Sequence, residues 1–236
     1  MATLYVIGTP IGNLEDLSPR AARVLSEVDA VAAEDTRITR RIYERYTLPS
    51  PPIRFSCHEH NEERVVQRIV GLLDAGKNVG LCSDGGMPAV SDPGYRVINA
   101  CRVAGHEIEV IPGPSAVTTA LVASGLPGAS FTFKGFPPRK PGPRKRFLEQ
   151  EKALPHTIVL FESPHRLVRL LQDAHDVLGD RLAAVCLELT KQYESVHRGY
   201  LSDLIGTFED MQTIRGEVTV VIAGDNPKFS RAADIS

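Results

Sequence analysis

Short apolar, β-branched runs alternate with helical patterns through the first half of the chain, and that alternation admits few folds. Leu4-Tyr5-Val6-Ile7, Val31-Ala32-Ala33, Ile53 to Cys57, Val79 to Cys82 and Ile108 to Ile111 read as strands. Ser18-Pro19 opens the first helix between them, with serine as N-cap and proline at the first position. The Arg-rich run from Thr36 to Tyr46 reads as a second. Asn61 caps a third, with Val65, Ile69, Leu72 and Leu73 on one side and Gly76 closing it. Tyr95 to Ala104 reads as a fourth. Strands separated by helices pair in parallel, because a tight turn cannot return the chain in the same direction.

The second half carries strand patterns at Phe131 to Phe136, Thr157 to Phe161, Leu182 to Leu189 and Val218 to Ala223. Helical patterns run over Val117 to Ser124, Arg144 to Ala153, His165 to Leu178 and Tyr200 to Met211. The short strand spacing in the last third predicts antiparallel neighbours and a mixed sheet. The chain therefore reads as α/β, with two α/β domains: residues 1–113 with a mostly parallel sheet, and residues 114–236 with a mixed one. The tail after Gly224 is polar and expected to fray.

A net charge of −2 gives the chain no overall basic field, so any nucleic-acid contact has to come from a local patch. Cys57, Cys82, Cys101 and Cys186 are far apart and form no CxxC pair. They fit reduced thiols in a cytoplasmic protein, with no disulfide framework and no metal site. No apolar run reaches the length of a membrane span. Met1-Ala2-Thr3 leads straight into strand pattern, without a basic targeting segment.

Three glycine- and proline-rich loops follow strands: Gly8-Thr9-Pro10-Ile11-Gly12-Asn13-Leu14, the stretch from Ser83 through Asp84-Gly85-Gly86-Met87 to Gly94, and Pro112-Gly113-Pro114-Ser115-Ala116. In α/β sheets ligands bind beyond the carboxyl ends of strands. The first loop lacks the second glycine of a dinucleotide fingerprint, since Pro10 occupies that place, so NAD and FAD are discounted. There is no P-loop lysine pattern either. Backbone-rich walls of this kind suit a small, polar, amphoteric ligand. Asp84 either holds such a ligand or caps its own turn. His58 and His60 fall on one side of an extended segment, but two histidines make no metal site, and a solvated or RNA-facing pair is the better reading. Arg139, Lys140, Arg144, Lys145 and Arg146 place five basic residues within eight, a density that suits phosphate contacts.

The three loops, together with Ala33-Glu34-Asp35-Thr36-Arg37 and Phe161-Glu162-Ser163-Pro164-His165-Arg166, resemble the ribosomal RNA small subunit methyltransferase I family of the tetrapyrrole methylase superfamily. Five motifs in the right order cover about residues 3–224. The resemblance implies S-adenosylmethionine as cofactor, in a cleft between two α/β domains. It implies 2′-O-methylation of a cytidine in 16S rRNA at the decoding centre of the small ribosomal subunit, by a homodimer. It assigns Pro10, Ser83, Asp84, Gly85, Gly86, Met87, Val90, Ser115, Ala116, Phe161, Glu162 and Thr190 to the cofactor. Arg37, His58, His60, His165 and Arg166 join the basic run as RNA contacts. A ribose hydroxyl is a poor nucleophile and needs help losing its proton. Glu34, Asp35, Lys191 and Glu194 are the candidates for that step. Two alternatives stay open: methylation of a tetrapyrrole-type small molecule, and a non-catalytic ribosome-assembly factor. The chain departs from the family pattern at Gly85 and Met87, at Gly135-Phe136-Pro137-Pro138, and from Leu187 to Ser195.

Overall fold

The computed structural model describes residues 2–231. They divide between Ser115 and Ala116 into two compact units.

The first unit holds β1 (Thr3–Ile7), α1 (Pro19–Glu27), β2 (Ala30–Ala33), α2 (Thr36–Tyr46), β3 (Ile53–Ser56), α3 (Glu62–Asp74), β4 (Val79–Cys82), α4 (Tyr95–Val103) and β5 (Glu107–Ile111). Its sheet runs in the order β3-β2-β4-β1-β5, and every pairing is parallel. The expected "mostly parallel" sheet is thus wholly parallel. Successive strand residues point to opposite faces, and both faces are covered. Ile7, Val31 and Ile111 pack with Leu25 of α1 and Ile42 of α2. Val6, Ala32 and Leu81 pack with Ile69 of α3 and Val97 of α4. Burial on both sides explains why these strands read as continuous apolar runs. Ile69 and Leu25 are fully buried, and such a side chain contributes roughly 2 kcal/mol, so each helix has one favourable face.

The register decides where function can sit. Ile7 pairs with Cys82 and with Ile111, and Ala33 pairs with Cys82 and Ser56. The five strands therefore end in one row, and the segments beginning at Gly8, Glu34, Cys57, Ser83 and Pro112 leave from a single edge.

The second unit holds α5 (Ala116–Ser124), β6 (Phe131–Phe133), α6 (Pro141–Glu149), β7 (Thr157–Glu162), α7 (Leu167–Leu178), β8 (Leu182–Leu187), β9 (Ser195–Tyr200), α8 (Leu201–Glu209) and β10 (Val218–Ile222). Its sheet is mixed, in the order β6-β7-β10-β8-β9; β6 and β7 are parallel and the rest antiparallel. The core of Leu148, Ile158, Leu170, Val220 and Phe208 joins α6, α7 and α8 to the sheet. Because β7 and β8 both oppose β10, their carboxyl ends, Glu162 and Leu187, flank Val218 at the same edge.

Several details differ from the sequence expectation: β6 ends at Phe133 rather than Phe136, and α6 ends at Glu149 rather than Ala153. β9 is absent from that expectation, because its six residues, Ser-Val-His-Arg-Gly-Tyr, form a polar edge strand with little apolar signal. β8 stops at Leu187, since Glu188 and Thr190 turn to φ 51° and 64°. The helix expected from Arg144 begins at Pro141, with Pro at the first position and Lys140 as N-cap.

Candidate active site

The loops at the edge of the first sheet are locked to one another by backbone. Gly8 N–H donates to Ile111 O at 2.9 Å. Thr9 and Gly86 exchange both backbone bonds, at 2.9 and 3.0 Å. The Thr9 hydroxyl donates to Ser83 O at 3.2 Å. Gly8 and Gly113 come so close that a Cβ on Gly8 would lie 2.6 Å from Gly113 N and 2.7 Å from the Met87 sulfur. The loops after β1, β4 and β5 thus form one backbone wall, holding Pro10, Ser83, Gly85, Gly86 and Met87.

Beside that wall, the segments after β2 and β4 are tied by a reciprocal pair. Asp35 N–H donates to Asp84 Oδ1 at 2.8 Å, and Asp84 N–H donates to Glu34 Oε2 at 3.3 Å. Burial pushes the Asp84 carboxyl above its ordinary range. Burial also raises Glu34, and the Asp84 charge adds to it, while the Asp84 N–H and His58 act the other way. Asp35 moves oppositely: hydrogen bonds from Arg37 hold it down at about 2. Arg37 itself is exposed. His58 and His60 follow β3 with ring centroids 6.1 Å apart, so the same edge carries them too.

In the second unit the candidates collect at the edge where β7 and β8 end. Glu162 is buried, and its Oε1 accepts Ser163 N–H at 2.7 Å and pairs with Arg166. His165 is exposed beside it. Lys191 sits between Glu188 Oε1 at 2.9 Å and Glu217 Oε1 at 3.1 Å. Burial disfavours its charge, but hydrogen bonds to the two carboxylates outweigh that and raise its pKa. Two carboxylates thus hold the Lys191 side chain at this edge. Glu194 is exposed and accepts Thr190 N–H.

The basic run separates into two kinds of residue. Arg144 is buried, with Nε 2.6 Å from Asp173 and an Nη on Arg139 O at 3.1 Å. Lys145 reaches Asp176 at 2.8 Å. Arg144 is spent on joining α6 to α7, a correction to its expected place on RNA, whereas Lys145 stays 43% exposed in a surface pair. Arg139, Lys140 and Arg146 stand exposed.

Backbone strain marks the same segments. Among the described residues five non-glycine positions have positive φ. Ala89 and Ser91 lie in the loop after β4, and Glu188 and Thr190 in the turn after β8; Thr47 is a helix cap. Such conformations persist where the surroundings impose them, often at functional sites.

Two contributors carry no signal that the sequence reading caught. Thr9 closes the first loop on the second. Glu62, buried at the start of α3, accepts Gly94 N–H at 3.0 Å and Arg96 N–H at 3.1 Å, capping α4 where Gly94 has no side chain to do so. The one available hint is an uncapped α4 start beside a surplus of carboxylates. Among the described residues, no group of three or more His, Cys, Asp or Glu could hold a metal ion, and no helix is long and apolar enough to cross a membrane.

Residues 3–205 match the family of Tetrapyrrole (Corrin/Porphyrin) Methylases, and the chain belongs to that family of methyltransferases. A solved uroporphyrin-III C-methyltransferase from Thermus thermophilus superposes with a TM-score of 0.66 at 24% identity, over 94% of each chain, which is a likeness of fold. Sequence relatives narrow the branch. A Thermotoga maritima protein named ribosomal RNA small subunit methyltransferase I is 43% identical over 224 residues, 95% of this chain and 99% of the relative. Its namesake from Halalkalibacterium halodurans is 43% identical over 226 residues, 96% of this chain and 77% of the relative. These relatives place the chain in the ribosomal RNA small subunit methyltransferase I branch of the family.

Proposed function

We propose that the protein methylates 16S rRNA in the small ribosomal subunit, using S-adenosylmethionine to modify the 2′-hydroxyl of a cytidine ribose at the decoding centre. The observation that carries this reading is 43% identity spread over 95% of the chain and 99% of a relative named for that RNA. In this reading it acts in the cytoplasm as a homodimer.

The residues present fit the cofactor. At Gly8 and Gly113 any side chain would part the two loops that build the backbone wall. Asp84 offers a carboxylate to a ligand that carries an ammonium and a sulfonium. When bound, S-adenosylmethionine supplies an electrophilic methyl. Pro10, Ser83, Asp84, Gly85, Gly86, Met87 and Val90 position it, and the family resemblance adds Ser115, Ala116, Phe161, Glu162 and Thr190.

Glu34 takes the proton of the ribose hydroxyl. Its carboxyl is raised above its ordinary range by burial, which brings a base nearer the working pH. Asp35, held at about 2 by Arg37, is the weaker base and orients the segment. Arg139, Lys140, Arg146, His165, His58 and His60 face the RNA, and the exposed Arg37 joins them.

The test is transfer of tritiated methyl to small subunits, followed by nucleotide mapping. Label on one cytidine ribose is the expected result. Label on a base, or on a tetrapyrrole precursor and not on RNA, would overturn the reading.

A further inference from the structure

We infer that Phe136 is a stacking platform for an unpaired base of the RNA strand, a role that rests on the RNA reading above. The ring is 56% exposed, on a loop that holds it there. Behind it lies Phe161, with ring centroids 5.6 Å apart and planes at 57°. Phe161 packs in turn edge-on to Phe133 at 4.9 Å. Gly135, just before the ring, has φ +63°, a conformation only glycine adopts freely. Its carbonyl accepts Phe161 N–H at 2.9 Å. Pro137, buried, and Pro138 follow, and proline fixes its own φ and biases the residue before it to extended backbone. The ring is therefore braced from behind and on both sides in sequence. Little ordering entropy is left to lose on binding.

Single exposed apolar side chains are ordinary; the company this one keeps is not. Arg139 and Lys140 follow within four residues, and Arg146 lies further along α6, all three exposed. Among the described residues none of the three side chains enters an ion pair, whereas Lys134, Arg144 and Lys145 nearby are all paired. A rigid aromatic face on the segment that also carries three unpaired cations matches one kind of partner, a nucleic-acid strand with a base on the ring and its phosphates on the cations. An apolar protein surface would leave three cations unmatched.

Two substitutions test this. Phe136→Leu keeps apolar bulk and removes the π-face; Phe136→Trp restores it. Fluorescence anisotropy with a short fluorescein-labelled single-stranded RNA of mixed sequence is read across a salt series, beside cofactor calorimetry and light scattering. Phe136→Leu should weaken RNA binding about five- to a hundredfold, the effect of losing one stacked base. The salt slope should not change, because the same phosphates stay neutralised. Phe136→Trp should bind as the wild type does, and cofactor affinity and mass should hold in both variants. If the wild type binds RNA and methylates small subunits but Phe136→Leu binds equally well, the stacking role falls and the RNA reading stands. If the wild type neither binds RNA nor methylates subunits, both fall. Lost cofactor binding or altered mass in Phe136→Leu assigns the ring to the cofactor wall or to an interface between copies, and overturns the proposal.

Discussion

Asp84 Oδ1 accepts the Asp35 backbone N–H at 2.8 Å, so a carboxylate from the segment after β4 holds the start of the helix after β2. The side chain therefore has two tasks, bracing and ligand contact, and substitutions can separate them. Asp84→Asn keeps an acceptor for Asp35 and removes the charge. Asp84→Ala removes both. The alanine variant should lose about 1 kcal/mol of stability, the worth of one partly buried hydrogen bond. The asparagine variant should melt close to wild type. Both should bind S-adenosylmethionine at least about tenfold more weakly, the scale of a hydrogen bond to a charged group. Thermal melts and calorimetry on the two variants check this.

Glu34 connects catalysis to pH. Its carboxyl is raised above 4.5 by burial first, with the Asp84 charge adding, so the folded protein holds that proton more tightly than the unfolded chain. The sign follows: this group favours folding below pH 4.5 and its contribution is lost as pH rises through the folded value. Glu34→Gln removes that burden, because the amide oxygen still accepts Asp84 N–H. The variant should be no less stable than wild type at neutral pH. Wild-type stability relative to it should decline as pH rises above 4.5. Methyl transfer should drop about a hundredfold or more. Denaturant melts across pH, with single-turnover transfer, make the measurement.

The first unit is legible in sequence because parallel strands buried on both faces are apolar throughout, and glycine- and proline-rich loops mark where they end. Ile7 and Cys82 can be named as strand ends without coordinates. Pairing between distant loops cannot. That Thr9 bonds Gly86, or that Glu62 caps α4, depends on strand order, which local pattern does not encode. β9 escapes the pattern because an edge strand keeps polar residues along its length. Arg144 and Arg146 look alike in sequence; only the helix phase set by Pro141 turns one inward and leaves the other in water.

The close approach of Gly8 and Gly113 predicts a steric phenotype. A Cβ on Gly8 would meet Gly113 N at 2.6 Å, and one on Gly113 would meet Gly8 C at 2.7 Å. The neighbours are backbone, so neither can swing aside. Gly8→Ala or Gly113→Ala should cost about 1–3 kcal/mol, the usual range for overpacking, and should abolish measurable cofactor binding by parting the loops. Gly142, where an added Cβ would meet nothing nearer than Arg146 Nη1 at 3.7 Å, is the control; Gly142→Ala should bind cofactor as wild type does. Thermal melts paired with calorimetry distinguish these outcomes.

The basic run on α6 should give two opposite phenotypes from neighbouring arginines. Arg144 is buried against Asp173, with the shortest N–O distances at 2.6 Å. Removing one partner of such a pair leaves an uncompensated buried charge, at a cost of about 3–5 kcal/mol. Asp173→Ala should therefore destabilise the second unit strongly, and Arg144→Ala less, because the carboxylate it leaves can take a proton or reach Lys145, 3.5 Å away. Neither should change the salt dependence of RNA binding in protein that remains folded. The exposed set behaves differently. Replacing Arg139, Lys140 and Arg146 with alanine should leave the melting temperature within about a degree or two, since surface changes usually fall within ±0.5 kcal/mol. It should weaken RNA binding across sequences. The slope of log affinity against log salt should shrink by about 0.7 for each phosphate of a single strand that is no longer neutralised. Cofactor affinity should not move. An unchanged slope in the triple variant would return these cations to solvent, and a slope change on Arg144→Ala in folded protein would mean that the pair with Asp173 opens when RNA arrives.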